Sequence, residues 1–453
     1  MLAIMPAARS ERRAWLTWSI PALLFLIAFF HRLAPGVMAK DLMQTFDATA
    51  ATIGLLSATY FYSYAALMVP AGVFIDAWGV RAVVAVGGVV MGVGTLAMAW
   101  AGAAPMLFAG RFAVGLGATV TFIGALKVAA LWFPAARFGF LSAVTATVGI
   151  VGALVATAPL AALVAAAGWR GALAIFGAVT LVGAGACAVF VRDPPEVGAA
   201  PARGPGLRAI LRGMLRVLRN PHTWPPFLAF FFLYAAMGNL QIWTVPYLRD
   251  VHGLGLTEAA LYATAASTAL LGSAPLTGWL SDRVLGRRKA PYALLNGALF
   301  AVCAVFVLTL GRLPLWAVYA TLFGMGAVNG QFVLTWPIAR EVNPPHVAGV
   351  AVAVVNFGGF LGAALTQGPV GFVLDARWAG ALSGGARVYP VDAYQATFAV
   401  CAVFVLASTA ASLFMRETRG RNIHDGHDEH DGHDGHDEHA PVPGRFFSPL
   451  GPR

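Results

Sequence analysis

The most constraining feature of this chain is a succession of long apolar runs separated by very short polar gaps. A helix that crosses a bilayer needs about 20 predominantly apolar residues. The runs that meet this length lie at 15–38, 53–75, 82–101, 105–128, 140–166, 171–191, 224–247, 258–279, 291–310, 315–338, 350–374 and 396–415. Connections this short require neighbouring helices to run antiparallel. Charged residues are only 11% of the chain, whereas an ordinary soluble domain carries about 25%. The sequence therefore predicts an all-α membrane protein with twelve transmembrane helices. The apolar run after the basic segment Met1–Arg13 is too long for a signal-peptide core and has no clear small-residue cleavage site, so no cleaved leader is expected.

The gap between the second and third runs reads Gly72-Val-Phe-Ile-Asp76-Ala-Trp-Gly79-Val-Arg81. Gly72 is expected to let two helices approach closely, and Gly79 to permit the sharp turn. Asp76 and Arg81 would form a charge pair at the membrane face, able to lock or release a neighbouring helix. The same order of small, acidic and basic residues returns nearly half a chain later, in Gly278-Trp-Leu-Ser-Asp282-Arg283-Val-Leu-Gly286-Arg287-Arg288-Lys289. One extra residue separates Asp282 from Gly286. Each copy follows the second apolar run of its half, which is the mark of a duplicated unit.

Both stretches resemble the signature loops of the major facilitator superfamily, between the second and third helices and again between the eighth and ninth. The resemblance extends to about Glu417. It implies two pseudo-symmetric six-helix bundles around a central cavity, rocking to give alternating access. The expected division is a first bundle over 1–191, a linker over 192–222, a second bundle over 223–416 and a tail over 417–453. Glycine-rich faces suit such movement: Gly115 and Gly117, Gly149 and Gly152, and Gly358, Gly359 and Gly362. Ordinary tight packing also accounts for many of these.

Charge distribution sets the orientation. The termini and the loops on their side carry 21 of the 30 Lys and Arg residues; the opposite loops carry 6, namely Lys40, Arg170, Arg249, Arg312, Arg377 and Arg387. By the positive-inside rule both termini are cytoplasmic, in a bacterial-type inner membrane. The net charge of +10 thus follows membrane topology and gives no reason to expect nucleic acid. The expected partners are the bilayer, a small-molecule substrate and a coupling proton or ion, with the protein acting as a monomer. Cys187, Cys303 and Cys401 fall inside apolar runs, as packing residues rather than a disulfide framework. In the linker, residues 207–219 place Arg208, Arg212 and Arg216 on one side and Ile210, Leu211, Met214, Leu215 and Leu218 on the other. This is a basic amphipathic helix, either lying on the inner leaflet or simply solvated.

Polar groups at membrane depth are costly and mark function. No Asp or Glu falls in the middle of a run, and the basic residues inside are Arg32, Arg111 and Lys127. A first-helix arginine such as Arg32 resembles the branch that carries organic anions and sugar phosphates, where it clamps the substrate's carboxylate or phosphate. A guanidinium is always charged and binds bidentately. The alternative is an arginine snorkelling to the outer face. His31 occupies the place where many anion-coupled relatives have a carboxylate, and could carry a coupling proton. Residues 31 and 32 point about 100° apart on a helix, however, and an interhelical histidine remains the alternative. Sugar-phosphate carriers also place an arginine in the seventh helix. This chain has Tyr234, Asn239, Gln241 and Trp243 there, which favours a monoanion or a neutral polar molecule. Further candidate contacts are Tyr64, Asn329, Gln331 and Asn356, against a reading of buried amides as interhelical glue. Arg111 heads Arg-Phe-Ala-Val-Gly-Leu-Gly, similar to the family's fourth-helix signature, and is expected to couple helix ends rather than touch substrate. Lys127 reads as snorkelling.

The tail repeats histidine every third residue: His424, His427, His430, His433, His436 and His439. Interleaved with carboxylates, these could hold a divalent metal weakly. No cofactor is otherwise expected. No phosphate-binding Gly-x-x-x-x-Gly-Lys-Ser/Thr loop or nucleophile–base pair points to an ATPase or an enzyme. The reading is a secondary active transporter of a small organic anion or polar metabolite. Two rivals stay open: a Ni, Co or Zn exporter collecting metal on the tail, and a membrane ligand sensor of the sugar-phosphate permease type.

Overall fold

The computed structural model describes residues 7–193 and 207–424. Before the linker come α1 (Ala7–Val37), α2 (Ala39–Phe46), α3 (Ala50–Ala99), α4 (Ala104–Trp132), α5 (Ala135–Val155) and α6 (Ala158–Phe190). The linker helix is α7 (Leu207–Arg219). Beyond it lie α8 (Trp224–His252), α9 (Leu256–Trp279), α10 (Lys289–Leu308), α11 (Leu315–Val328), α12 (Thr335–Glu341), α13 (Ala348–Asp375) and α14 (Val391–Leu413). A two-residue-per-strand hairpin, Leu382–Ser383 with Ala386–Arg387, joins α13 to α14. Helices dominate because lipid offers no partner to a backbone amide, so each span must satisfy its own.

Ten helices among the described residues are long and apolar enough to cross a membrane. The expected runs 53–75 and 258–279 are helical, but the second and all of the first before Pro70 lie outside those ten. Their apolar character is diluted by Ser57, Thr59 and Ser63 in the first, and by Glu258, Thr264, Ser267 and Ser273 in the second. Both pack on protein, α3 against α13 and α9 against α11.

Helix continuity differs from the expected runs at three places. α3 continues through Gly79, whose φ of +79° turns the chain without ending the helical pattern on either side. With ψ at 161° this is a backbone conformation essentially only glycine adopts, and a Cβ there would also displace the Asp193 carboxylate, 2.4 Å away. The expected run 140–166 breaks at Ala156–Thr157, ahead of Pro159, and α6 then turns at Gly168, φ +69°. The expected run 315–338 carries a 3-10 stretch, Asn329–Leu334, between α11 and α12. Such mid-helix irregularity is tolerated where the backbone lines a cavity.

The helices before and after the linker meet most tightly where α3 crosses α13. A Cβ on Gly54 would lie 2.1 Å from the Gln367 carbonyl oxygen, and one on Gly371 would lie 2.3 Å from that of Ala50. Within each half, Gly152 sits against the Leu26 carbonyl and Gly362 against that of Phe231. Gly72 and Gly278 do not work this way: nothing lies within 4 Å of a Cβ on either. The expectation that Gly72 permits close helix approach is corrected on this point.

Candidate functional site

Arg32 projects from α1 into a cavity between the two halves and is 7% exposed. Among the described residues no carboxylate pairs with it. Its Nη1 donates to the Tyr234 hydroxyl at 3.4 Å, and Nε has no protein partner. Aromatic faces surround the guanidinium: Phe29 at 4.1 Å, Phe360 at 5.0 Å, Tyr64 at 5.2 Å and Tyr60 at 6.0 Å. Each such contact contributes roughly 0.5–2 kcal/mol. The rings hold the charge without neutralising it, which leaves a positive centre facing empty space. Arg32 therefore lines the cavity and does not snorkel.

The cavity has three adjoining lobes that share walls, with volumes of about 60, 90 and 100 Å³. Opposite Arg32, the middle lobe is lined by Gln241 of α8, Ser267 of α9, Asn329 at the helix break and Gln367 of α13. Asn329 Oδ1 and Gln367 Oε1 are buried with no hydrogen-bond partner in the protein. Tyr64, Asn356 and Trp336 line the lobe toward the Asp76 end.

Of the residues singled out by sequence, Arg32, Tyr64, Gln241, Asn329 and Asn356 share this cavity. Four others do not line it. His31 is fully buried on another face of α1, with Nε2 3.1 Å from Thr95 Oγ1. Asn239 donates to the Ala235 carbonyl at 2.8 Å and to Thr366 Oγ1 at 3.1 Å. Gln331 donates to Asn296 at 3.0 Å, which bonds Ser408 at 2.8 Å and so ties three helices together. Trp243 is fully buried in the core. The angular step along the helix, 100° per residue in an α-helix and about 120° in the 3-10 stretch that holds Gln331, separates the residues that face the cavity from those that face the core. Tyr234, named among the seventh-helix polar residues, also lines the cavity, whereas Gln367, Phe360 and Phe332 are cavity residues that the sequence reading did not select.

Arg111 is 1% exposed and donates to the His31 carbonyl at 2.6 Å, with its guanidinium 5.0 Å from the Tyr60 ring. It binds α4 to α1 and stays out of the cavity.

At the Asp76 end, the expected pair of Asp76 with Arg81 is corrected. Asp76 takes Lys127 at 2.8 Å, so Lys127 is an ion-pair partner as well as a residue near the surface. Arg81 donates from Nε to the Ala188 carbonyl at 2.6 Å, and Asp193 accepts from the Val80 amide at 2.9 Å. The extra residue in the second copy changes the partner again. Asp282 pairs with Arg288, which also reaches Glu341 at 3.3 Å, while Arg283 and Arg287 are exposed. Gly286 takes φ +57°.

The opposite end joins the halves. Lys40 of α2 donates to Asp250 of α8 and to the Arg387 carbonyl, both at 2.5 Å. Asp250 also accepts from the Tyr394 hydroxyl at 2.7 Å and the Tyr389 amide at 3.1 Å. Asp375 of α13 accepts from the amides of Ala50 and Ala51 at 3.0 and 2.7 Å, capping the start of α3 from the other half. Tyr389 donates to Asp375 at 2.6 Å. Burial holds the Lys40 ammonium below its ordinary range, an effect that the Asp250 carboxylate offsets only in part. Burial and then Asp375 push the Tyr389 hydroxyl above its ordinary range, which keeps it a donor.

Of the tail histidines, His424 is the last described residue; His427, His430, His433, His436 and His439 lie outside the described residues. Among the described residues no three His, Cys, Asp or Glu side chains gather to hold a metal ion.

Comparison with known proteins agrees with this geometry. The profile of the Major Facilitator Superfamily matches residues 22–367. A probable sulfoacetate transporter of Cupriavidus necator is 28% identical over 303 residues, covering 62% of this chain and 68% of that protein. A membrane sensor protein of Escherichia coli is 24% identical, covering 78% of this chain and 83% of that one. The hexuronate transporter of Escherichia coli is 24% identical, covering 55% and 61% respectively. Among solved structures, a bacterial homologue of the human lysosomal transporter Spinster, in an inward-facing and occupied conformation, superposes with a TM-score of 0.71 at 18% identity, covering 87% of this chain and 95% of that one. With the profile spanning most of its length, this chain belongs to the Major Facilitator Superfamily of membrane transporters.

Proposed function

We propose that this protein moves a small organic anion across a bacterial inner membrane by alternating access, with Arg32 as the anion site. The observation that carries the proposal is the buried, unneutralised guanidinium facing a cavity between the halves. A charge at membrane depth costs several kcal/mol unless used, and a carboxylate or sulfonate entering the cavity would satisfy it bidentately. The names of the relatives, transporters of sulfoacetate and hexuronate, support an anionic cargo. The single cation in the middle lobe favours a substrate with one strongly acidic group at that point.

In this reading the Asp76 end and both termini are cytoplasmic, the Lys40 end is the outer gate and is shut, and a proton or ion gradient supplies the drive. Thermal-shift screening of small carboxylates and sulfonates tests the anion site. Wild type should be stabilised by at least one such anion, and Arg32→Ala by none. Equal stabilisation of both would refute the role of Arg32. A purely sensing role, suggested by the sensor relative, predicts ligand-induced stabilisation without net flux into vesicles.

A further inference from the structure

The linker helix α7 and the space beneath it take no part in the anion cavity. Four strips follow one another around α7. Gly213 and Val217 dock on α13 and the turn just before it, with the Gly213 Cβ position 3.6 Å from Val350 and 3.4 Å from Val347. Met214 and Leu218 come next and form one wall of a groove. Leu211, Leu215 and Leu218 follow, exposed by 46%, 48% and 36%. Arg212, Arg216 and Arg219, all exposed, complete the circuit. Arg216 Nη1 lies 2.8 Å from His346 Nε2, which fixes the arginine strip to the start of α13.

The groove has a volume of about 630 Å³, and every residue lining it is apolar. Met68 of α3 stands on one side; Trp224 and Phe227 of α8 and Phe357 of α13 stand on the other. Water would find no polar partners there, so hydrocarbon is the occupant the walls fit. The exposed leucines extend this apolar surface to the edge of α7. The arginines stand just beyond, where a phosphate at the level of the headgroups would meet them. The order apolar groove, leucine strip, arginine strip matches the order acyl chain, glycerol backbone, anionic headgroup.

We propose that the groove between α3, α7, α8 and α13 is a binding site for an acidic phospholipid, with an acyl chain against Trp224 and Phe357 and the phosphate at Arg216 and Arg219. Because its walls come from both halves, the lipid bridges the two bodies that move during transport.

Tryptophan quenching tests this in the full-length protein reconstituted in phosphatidylcholine vesicles. Bromine-labelled acyl chains are supplied on phosphatidylglycerol or, at equal mole fraction, on phosphatidylcholine. The Trp224 signal is taken as the difference between wild type and Trp224→Phe. The expected result is stronger quenching of Trp224 by the brominated phosphatidylglycerol. Arg216→Gln with Arg219→Gln, both on the exposed strip, should reduce that preference roughly tenfold. Ala353→Leu, which fills the groove, should reduce quenching by either lipid. Equal quenching by both lipids in wild type, or a preference unchanged by the double arginine variant, would overturn the anionic assignment. No difference between wild type and Trp224→Phe would show that no chain enters the groove. The arginine variant decides the matter even if Ala353→Leu fails to fold.

Discussion

Lys40 Nζ lies 2.5 Å from Asp250 Oδ2, joining α2 of the first half to α8 of the second, with both side chains at most 7% exposed. Two buried charges so paired are mutually dependent: removal of one strands the other in a low-dielectric site. The same carboxylate holds Tyr394 and the Tyr389 amide, so this contact anchors a latch across the Lys40 end.

Asp250→Asn should therefore destabilise the shut form of that end by about 3 kcal/mol. Labelling of an introduced Thr244→Cys, which lines the cavity lobe nearest that end, should accelerate for a reagent supplied on the Lys40 side. The pair Lys40→Met with Asp250→Leu should cost less than the sum of its parts, because no charge is left unpaired.

Substitution at Gly54 and Gly72 should separate two glycines that look alike in sequence. Gly54→Ala forces a Cβ to within 2.1 Å of the Gln367 carbonyl oxygen and should push α3 from α13, lowering the thermal midpoint and opening the Lys40 end. Gly72→Ala meets nothing within 4 Å and should leave stability unchanged or raise it by roughly 0.5–1 kcal/mol, as alanine does in a helix. Thermal unfolding of the purified variants reads both.

Arg111→Ala should lower thermal stability by about 2 kcal/mol, since it removes the bond to the His31 carbonyl and the contact with Tyr60. Substrate affinity of the folded fraction should remain that of wild type, because Arg111 lies outside the cavity. An affinity change without a stability change would place Arg111 at the substrate instead.

Asp76→Asn should change thermal stability by no more than about 1 kcal/mol, as its bond to Lys127 is solvent-exposed. Gly79→Ala should cost far more, through its positive φ and the displacement of the Asp193 carboxylate that holds the Val80 amide. A slowed transport cycle in Asp76→Asn with unchanged midpoint would locate its role in conformational exchange.

The membrane class, the duplicated loop and the buried arginine were legible because each is a local property: run length, motif spacing, a charge where charges are costly. Arg32 and His31 show how far this reaches. Their angular separation was evident from helix geometry, but which of them would face the cavity depended on where α4 and α8 sit. The same limit explains Asn239, Trp243 and Gln331, whose polar atoms serve neighbouring helices, and Gln367, which faces Arg32 from 335 positions further along the chain. Lys40 with Asp250 and Asp76 with Lys127 were misread or missed because partners distant in sequence leave no trace in spacing. The charge pair assumed between Asp76 and Arg81 rested on proximity along the chain, whereas the turn at Gly79 sends the two side chains to different helices.

The most direct measurement is counterflow of a labelled small carboxylate or sulfonate, identified by the thermal-shift screen, in proteoliposomes containing wild type, Arg32→Lys or Arg32→Ala. The expected result is robust exchange by wild type, weakened exchange by Arg32→Lys, which keeps the charge but loses the bidentate fork, and loss of exchange by Arg32→Ala with folding intact. Exchange by Arg32→Ala at wild-type rate and affinity would contradict the assignment of this buried guanidinium as the anion site.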